Sequence, residues 1–150
     1  MPKDELKAKV LQAVDDRMPE FEQLLGDVVR IPTDNPPGDT TACVSFLTDY
    51  LKSKGLPADV YEPQPTLQSL VSYKTGAEGG RNLVLNGHLD QFPSGDSEAW
   101  SFDLYSGECR DGRILGRGVA DMKAGSVASL ICLLLIHELE IPINGQLTLT

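Results

Sequence analysis

Residues 82–93 read NLVLNGHLDQFP, an apolar strand over Asn82–Leu85 that runs into a turn carrying a histidine and an aspartate two positions apart. In extended chain, residues i and i+2 point to one side and i+1 to the other. His88 and Asp90 therefore share a side, and Leu89 turns away from it. From there Asp90 can orient or polarise the His88 imidazole, the arrangement metal-binding histidines usually have. Read alone, the pair fits an ordinary structural hydrogen bond better than a metal site. A second stretch, GRGVADMKAG at 116–125, stands just before a long apolar segment. Asp121 falls at the expected helix start, where a carboxylate caps backbone N–H groups. Its two oxygens could instead bridge two metal ions, which lie ~3.5–4 Å apart in two-metal sites. Gly116, Gly118 and Gly125 allow close backbone approach, and Lys123 reads as a solvated charge at the helix start. A dinucleotide-binding loop is excluded, because GxGxxG would need glycine where Asp121 stands.

Working outward, residues 4–30 have helical periodicity with a break expected near Pro19, and Phe21, Leu24, Leu25, Val28 and Val29 form one apolar face. IPTDNPPGDT, 31–40, has the prolines and glycine of a rigid loop around an Asp-Asn pair. A helix follows from about Thr40 to Lys54, stopped by Gly55. Strands are expected at 57–62, 68–74 and 82–87, with GAEGG as a hairpin connection between the last two. Residues 94–106 form a loop around Trp100, and DGRILGRG suggests a turn and a short strand. Residues 122–139 are apolar nearly all round, so a buried helix is expected, and QLTLT at 146–150 begins another strand. Alternating strands and helices indicate an α/β layered domain. Such a sheet needs both faces covered. The final strand is expected to leave an unpaired edge and an uncovered helix face.

Composition bounds the function classes. Thirteen basic residues stand against 22 acidic ones, a net charge of −9. That balance disfavours nucleic acid, whose binding depends on cations displacing counterions from phosphates, and it disfavours anionic membranes. The charged N-terminus, MPKDELKAKV, lacks the apolar core of a signal peptide. The longest apolar run, Val127–Ile136, falls short of the ~20 residues of a membrane span. Three widely spaced cysteines without a CxxC pair are expected as reduced, mostly buried thiols of a cytoplasmic protein. His137-Glu138 begins an HExxH pattern, but Ile141 stands where the second histidine belongs. No GxSxG elbow is present for a serine hydrolase.

The order of features is distinctive: a strand ending in GHLD, a Trp loop, then DGRILGRGVADMKAG entering an apolar helix. In it the sequence resembles the co-catalytic zinc aminoacylase/carboxypeptidase family, which includes acetylornithine deacetylases, succinyl-diaminopimelate desuccinylases, aminoacylases and glutamate carboxypeptidases. The resemblance runs from RIPTDNPPG to QLTLT. It implies a three-layer α/β/α zinc-exopeptidase-like catalytic domain with a mixed sheet, incomplete in this chain. Residues 1–150 would be its N-terminal part, without the inserted dimerisation domain or the C-terminal half. By the same resemblance His88 is a ligand of one zinc ion and Asp121 is the carboxylate bridging two. Asp90 is the catalytic-support residue acting on His88, and the Asp121–Met122 peptide is cis. Co2+ or Mn2+ could replace Zn2+. The sequence departs from the family where Gln91-Phe92 replace a small apolar residue before Pro93, and where SFDLYSG replaces the usual Pro-Phe after the tryptophan. The family's Glu-Glu pair, later acidic ligand and final histidine would follow QLTLT.

The implied activity is hydrolysis of an amide bond in an N-acyl amino acid or small peptide, with homodimerisation only in the full-length protein. The competing expectations are a catalytically inactive truncated relative, acting as a binding or pairing module, and a small α/β protein with a single-ion site at His88 and Asp90.

Overall fold

The computed structural model describes residues 2–150. Helix α1 spans Lys3–Val29, with Asp4 and Glu5 in its first turn, where acidic groups suit the positive end of the helix dipole. Pro19 lies inside it and the expected break is absent. The lost N–H donor is outweighed by the apolar face that follows, in which Phe21, Leu24 and Val28 are buried in the common core. Helix α2, Thr41–Ser53, buries Cys43, Val44, Leu47 and Leu51. Gly55 follows it in the left-handed conformation, at φ +78°, that terminates helices without a Cβ penalty.

Strands β1 (Asp59–Gln64), β2 (Leu67–Thr75), β3 (Ala77–Leu85) and β6 (Asn144–Leu149) form one sheet in the order β1-β2-β6-β3. β1 and β6 both pair antiparallel with β2, and β3 pairs parallel with β6. The sheet is therefore mixed and the fold class α/β. Two expectations are corrected here. GAEGG is not a hairpin between paired strands, because β6 is inserted between β2 and β3. Its glycines make room for that insertion: a Cβ on Gly76 would lie 2.0 Å from the Ile143 oxygen, and one on Gly80 2.0 Å from the Asn144 carbonyl carbon. Nor is the final strand an unpaired edge. β6 is bonded on both sides, and the free edges belong to β1 and β3, where Leu83 and Val84 are exposed.

The short ribbon of β4 (Glu108–Arg110) and β5 (Arg113–Leu115) turns at Asp111 and Gly112, both with positive φ, as a two-residue hairpin turn requires. Helix α3, Ala124–Glu138, buries Val127, Leu130, Leu133, Leu134 and Leu135. These meet the buried faces of α1 and α2 and the inward residues Leu70, Leu147 and Leu149 of the sheet. By length and composition the stretch Val119–Glu138 could cross a bilayer, more than the apolar run suggested. Its first turn is broken at Asp121 and Met122, however, and its buried side belongs to the core. Of the three cysteines only Cys43 is buried; Cys109 and Cys132 are exposed, and all three are free thiols.

Candidate metal centre

The end of β3 is locked to β6 by two backbone bonds, Thr150 N to Leu85 O and Gly87 N to Thr150 O, each 2.9 Å. Gly87 packs closely on α3: a Cβ there would stand 2.4 Å from Ser126 Oγ and would displace that hydroxyl. That hydroxyl donates to the His88 carbonyl at 3.0 Å. The backbone before and at His88 is thus fixed by β6 and α3. Leu89 points the other way and packs against the core, as the alternation predicts.

The His88 ring is held at both nitrogens. Nδ1 lies 2.9 Å from the Asp90 carbonyl oxygen and 3.2 Å from its carboxylate, and Nε2 lies 3.0 Å from Asp121 Oδ1. Asp90 therefore acts on the imidazole twice, and its backbone makes the closer contact. Burial opposes charge on the ring, but the Asp90 carbonyl and the Asp121 and Asp90 carboxylates outweigh it and raise the His88 pKa above its ordinary value.

Asp121 reaches His88 through an irregular turn. Gly118 takes φ +78°, and residues Val119–Lys123 form a wide turn in which Asp121 is extended, at φ −138° and ψ 96°. The Asp121–Met122 peptide is cis. Asp121 does not cap α3, which starts without any side-chain cap. Its carboxylate is 77% exposed, so its second oxygen remains available beside the histidine.

The 31–40 loop supplies support that the sequence did not reveal. Thr33 Oγ1 donates to the Leu89 carbonyl at 2.6 Å, Gln91 N to Thr33 O at 3.0 Å, and Asn35 N to Gln91 O at 2.8 Å. Asn35 Nδ2 donates to Asp90 Oδ2 at 2.9 Å. Tyr105 donates to Asp34, which Gln91 Nε2 also approaches at 3.5 Å. Arg117 donates to the carbonyls of Phe92 and Pro93 at 2.6 and 3.1 Å. The two departures from the family pattern, Gln91-Phe92 and SFDLYSG, are thus linked through Asp34, the shared partner of Gln91 and Tyr105. Lys123 is not a solvated charge. It is fully buried and bonds the carbonyls of Val28 and Ile31, and burial lowers its pKa.

His88, Asp90 and Asp121 line one cleft of about 240 Å³ with Asn35, Gln91 and Phe92. A deeper cavity of about 350 Å³ adjoins it at His88 and Asp90, with Leu67, Leu70 and Leu130 in its walls. The donor set fits a divalent metal: an imidazole nitrogen and a carboxylate oxygen converge, and the other ring nitrogen is occupied. Zinc accepts such ligands but needs about four. Among the described residues no group of three or more His, Cys, Asp or Glu side chains is arranged to hold an ion. A single-ion site between His88 and Asp90 fits poorly, since Nδ1 already faces the Asp90 carbonyl oxygen.

Residues 84–150 match the sequence model of Peptidase family M20/M25/M40. An N-formyl-4-amino-5-aminomethyl-2-methylpyrimidine deformylase of Halalkalibacterium halodurans is 32% identical over 93% of this chain and 33% of its own length. A succinyl-diaminopimelate desuccinylase of Ehrlichia ruminantium is 35% identical over 74% of this chain and 28% of its own. Human carnosine dipeptidase 1 superposes with a TM-score of 0.78 at 22% identity, over 95% of this chain and 33% of that one. An M20 metallo-carboxypeptidase of Sulfolobus solfataricus gives 0.76 at 17%, over 87% and 30%. The chain spans about a third of the length of these relatives. The motif-bearing segment, residues 84–150, thus belongs to peptidase family M20/M25/M40 by sequence, and the fold of the chain matches that of a solved M20 metallo-carboxypeptidase.

Proposed function

We propose that residues 1–150 form the N-terminal part of the catalytic domain of a zinc-dependent hydrolase that cleaves the amide bond of an N-acyl amino acid or small peptide. The observation that carries the reading is the 3.0 Å approach of His88 Nε2 to the exposed Asp121 carboxylate, with Nδ1 turned to Asp90. His88 would ligate one ion through Nε2, and Asp121 would bridge two. An ion held there would supply Lewis-acid chemistry, activating water and polarising the scissile carbonyl.

The chain's own residues have separable tasks. With an ion bound, Asp90 would accept the hydrogen bond from Nδ1–H and leave the Nε2 lone pair for the metal, which is the tautomer a metal ligand needs. Asn35 holds the Asp90 carboxylate. Phe92, 74% exposed at the rim, offers an apolar surface to a substrate, and Arg117 fixes its backbone. The proton-accepting glutamate, the remaining ligands and a dimerising domain would come from sequence outside residues 1–150. The free thiols at Cys43, Cys109 and Cys132 suit a cytoplasmic setting.

The deciding experiment loads the full-length protein with zinc, measures bound metal and assays release of free amine from N-acyl amino acids and dipeptides. Two ions per chain and hydrolysis are expected, both lost in Asp121→Ala. Metal binding that survived Asp121→Ala would favour the single-ion site instead. Two ions bound without turnover of any amide would favour the inactive relative.

A further inference from the structure

Lys123 is a fully buried lysine whose only hydrogen-bond acceptors among the described residues are two backbone carbonyls, Val28 O at 3.2 Å and Ile31 O at 2.6 Å. Burying an ammonium without a carboxylate is costly, so its position needs a reason. Val28 lies in the last turn of α1 and Ile31 just beyond it. Carbonyls at that end carry the negative pole of the helix dipole, and α1 has no basic residue in its own last turn. Lys123 supplies that cation from another element.

The bond joins the end of α1 to the turn bearing Asp121, beside the packing of Val29 on Gly116. Beyond Ile31 the chain passes Thr33 and Asn35, which hold Leu89, Gln91 and the Asp90 carboxylate. In the other direction Lys123 is two residues from Asp121, and its own N–H closes the irregular turn on Gly118 O at 2.9 Å. We propose that Lys123 is a positioning residue: by holding the carbonyls of Val28 and Ile31, it fixes the turn bearing Asp121 relative to the His88–Gln91 segment. The tie itself stands on these contacts alone. Its consequence for metal binding rests on the proposed function.

The test uses the full-length protein and compares Lys123→Met, which keeps the chain length and loses the donors, with Leu51→Ala. Leu51 is a buried residue of α2, so its truncation lowers stability without touching the tie. In metal-free protein, the amides of Asn35, Gln91 and Lys123 should exchange hydrogen faster in Lys123→Met than in Leu51→Ala. Zinc dissociation constants, measured by chelator competition, should rise ~10–100-fold in Lys123→Met, as for other residues that orient metal ligands. In Leu51→Ala they should stay near wild type. Equal exchange at those amides in the two variants overturns the proposal, and so does an unchanged zinc affinity in Lys123→Met. Should wild type itself take up no zinc, the proposed function fails, while the exchange comparison still decides whether Lys123 holds the turn. If Lys123→Met does not fold, Lys123→Gln, which keeps one donor group, is read in the same two ways. An intermediate effect is expected there, and none overturns the proposal.

Discussion

At His88 the imidazole has two kinds of support from one residue, and they predict different mutational costs. The Asp90 carbonyl, 2.9 Å from Nδ1, survives any substitution of the side chain, whereas the carboxylate at 3.2 Å does not. Asp90→Asn therefore keeps the backbone contact to Nδ1 and loses the charge together with one of the two acceptor oxygens that now face His88 and Asn35. Its zinc affinity is expected to fall about tenfold, the low end for residues orienting a metal ligand. His88→Ala and Asp121→Ala remove donors outright and should leave no measurable binding. Chelator competition on the full-length protein ranks the three, and an Asp90→Asn loss as large as that of His88→Ala would mean that the carboxylate itself is a ligand. As candidates, His88, Asp90 and Asp121 were visible in the sequence because each sits in a short pattern, and their roles at a metal rest on the family resemblance. Lys123, Asn35 and Tyr105 were not. Their partners lie far away in the chain, and nothing in KAG, DNP or LYS marks a side chain that will be buried or drawn to a distant carboxylate. Asp121 carried two readings, cap or bridge, and the backbone path through the irregular turn removes the first, leaving the bridge as the proposal.

The elements show the same division between local and distant information. Helix periodicity located α1, α2 and α3 closely, because burial of one face repeats along the chain itself. The insertion of β6 between β2 and β3 has no such signature, since pairing partners far apart in sequence leave no periodic trace; only the glycines of GAEGG hint at close backbone contact. A Cβ at position 80 would meet the Asn144 backbone, which cannot swing aside as a side chain could. Gly80→Ala is thus expected to destabilise by about 1–3 kcal/mol, as overpacking does, and to lower the melting temperature in calorimetry; an unchanged transition would show that the register shift of β3 between Ala77 and Arg81 absorbs it. The helices are joined at Glu20 of α1, which accepts from Arg17 at 2.8 and 3.0 Å, from Lys54 at 2.9 Å and from Tyr50 at 3.1 Å. Its hydrogen bond from Arg17, opposed by burial and aided by Lys54, lowers its pKa to about 2. A depressed carboxylate stabilises the fold above its unfolded pKa, and that contribution disappears as pH falls through the folded value. Denaturant unfolding should lose it between about pH 4.3 and about pH 2. With 37% of the side chain exposed, screening limits the loss to about 1 kcal/mol. Glu20→Gln should flatten this part of the acid limb, and an identical limb would assign acid sensitivity to other carboxylates.

Over the whole molecule, burial is lopsided in a way that follows from the strand order. The core lies where α1, α2 and α3 meet Leu70, Leu147 and Leu149, at the two central strands. β3 pairs along one side only and is exposed over nearly its whole length. Leu83 and Val84 are 58% and 55% exposed there, although β-branched and leucine side chains on a parallel strand ordinarily signal burial on both faces. The sequence pattern of a doubly covered strand is present while its cover is not among the described residues. An exposed apolar edge of this kind is a template for strand addition. Residues 1–150 expressed alone should therefore bind a hydrophobic dye and sediment with a mass that rises with concentration. Val84→Lys, which places a charge on the free edge strand on the face opposite the core residues Leu147 and Leu149, should reduce both. The full-length protein should show neither, because under the proposed domain organisation later strands would pair with β3. Monodisperse sedimentation of the isolated chain, with a cooperative thermal transition and no dye uptake, would mean instead that the four-stranded sheet is self-sufficient. The covering role assigned to the remaining chain would then be withdrawn.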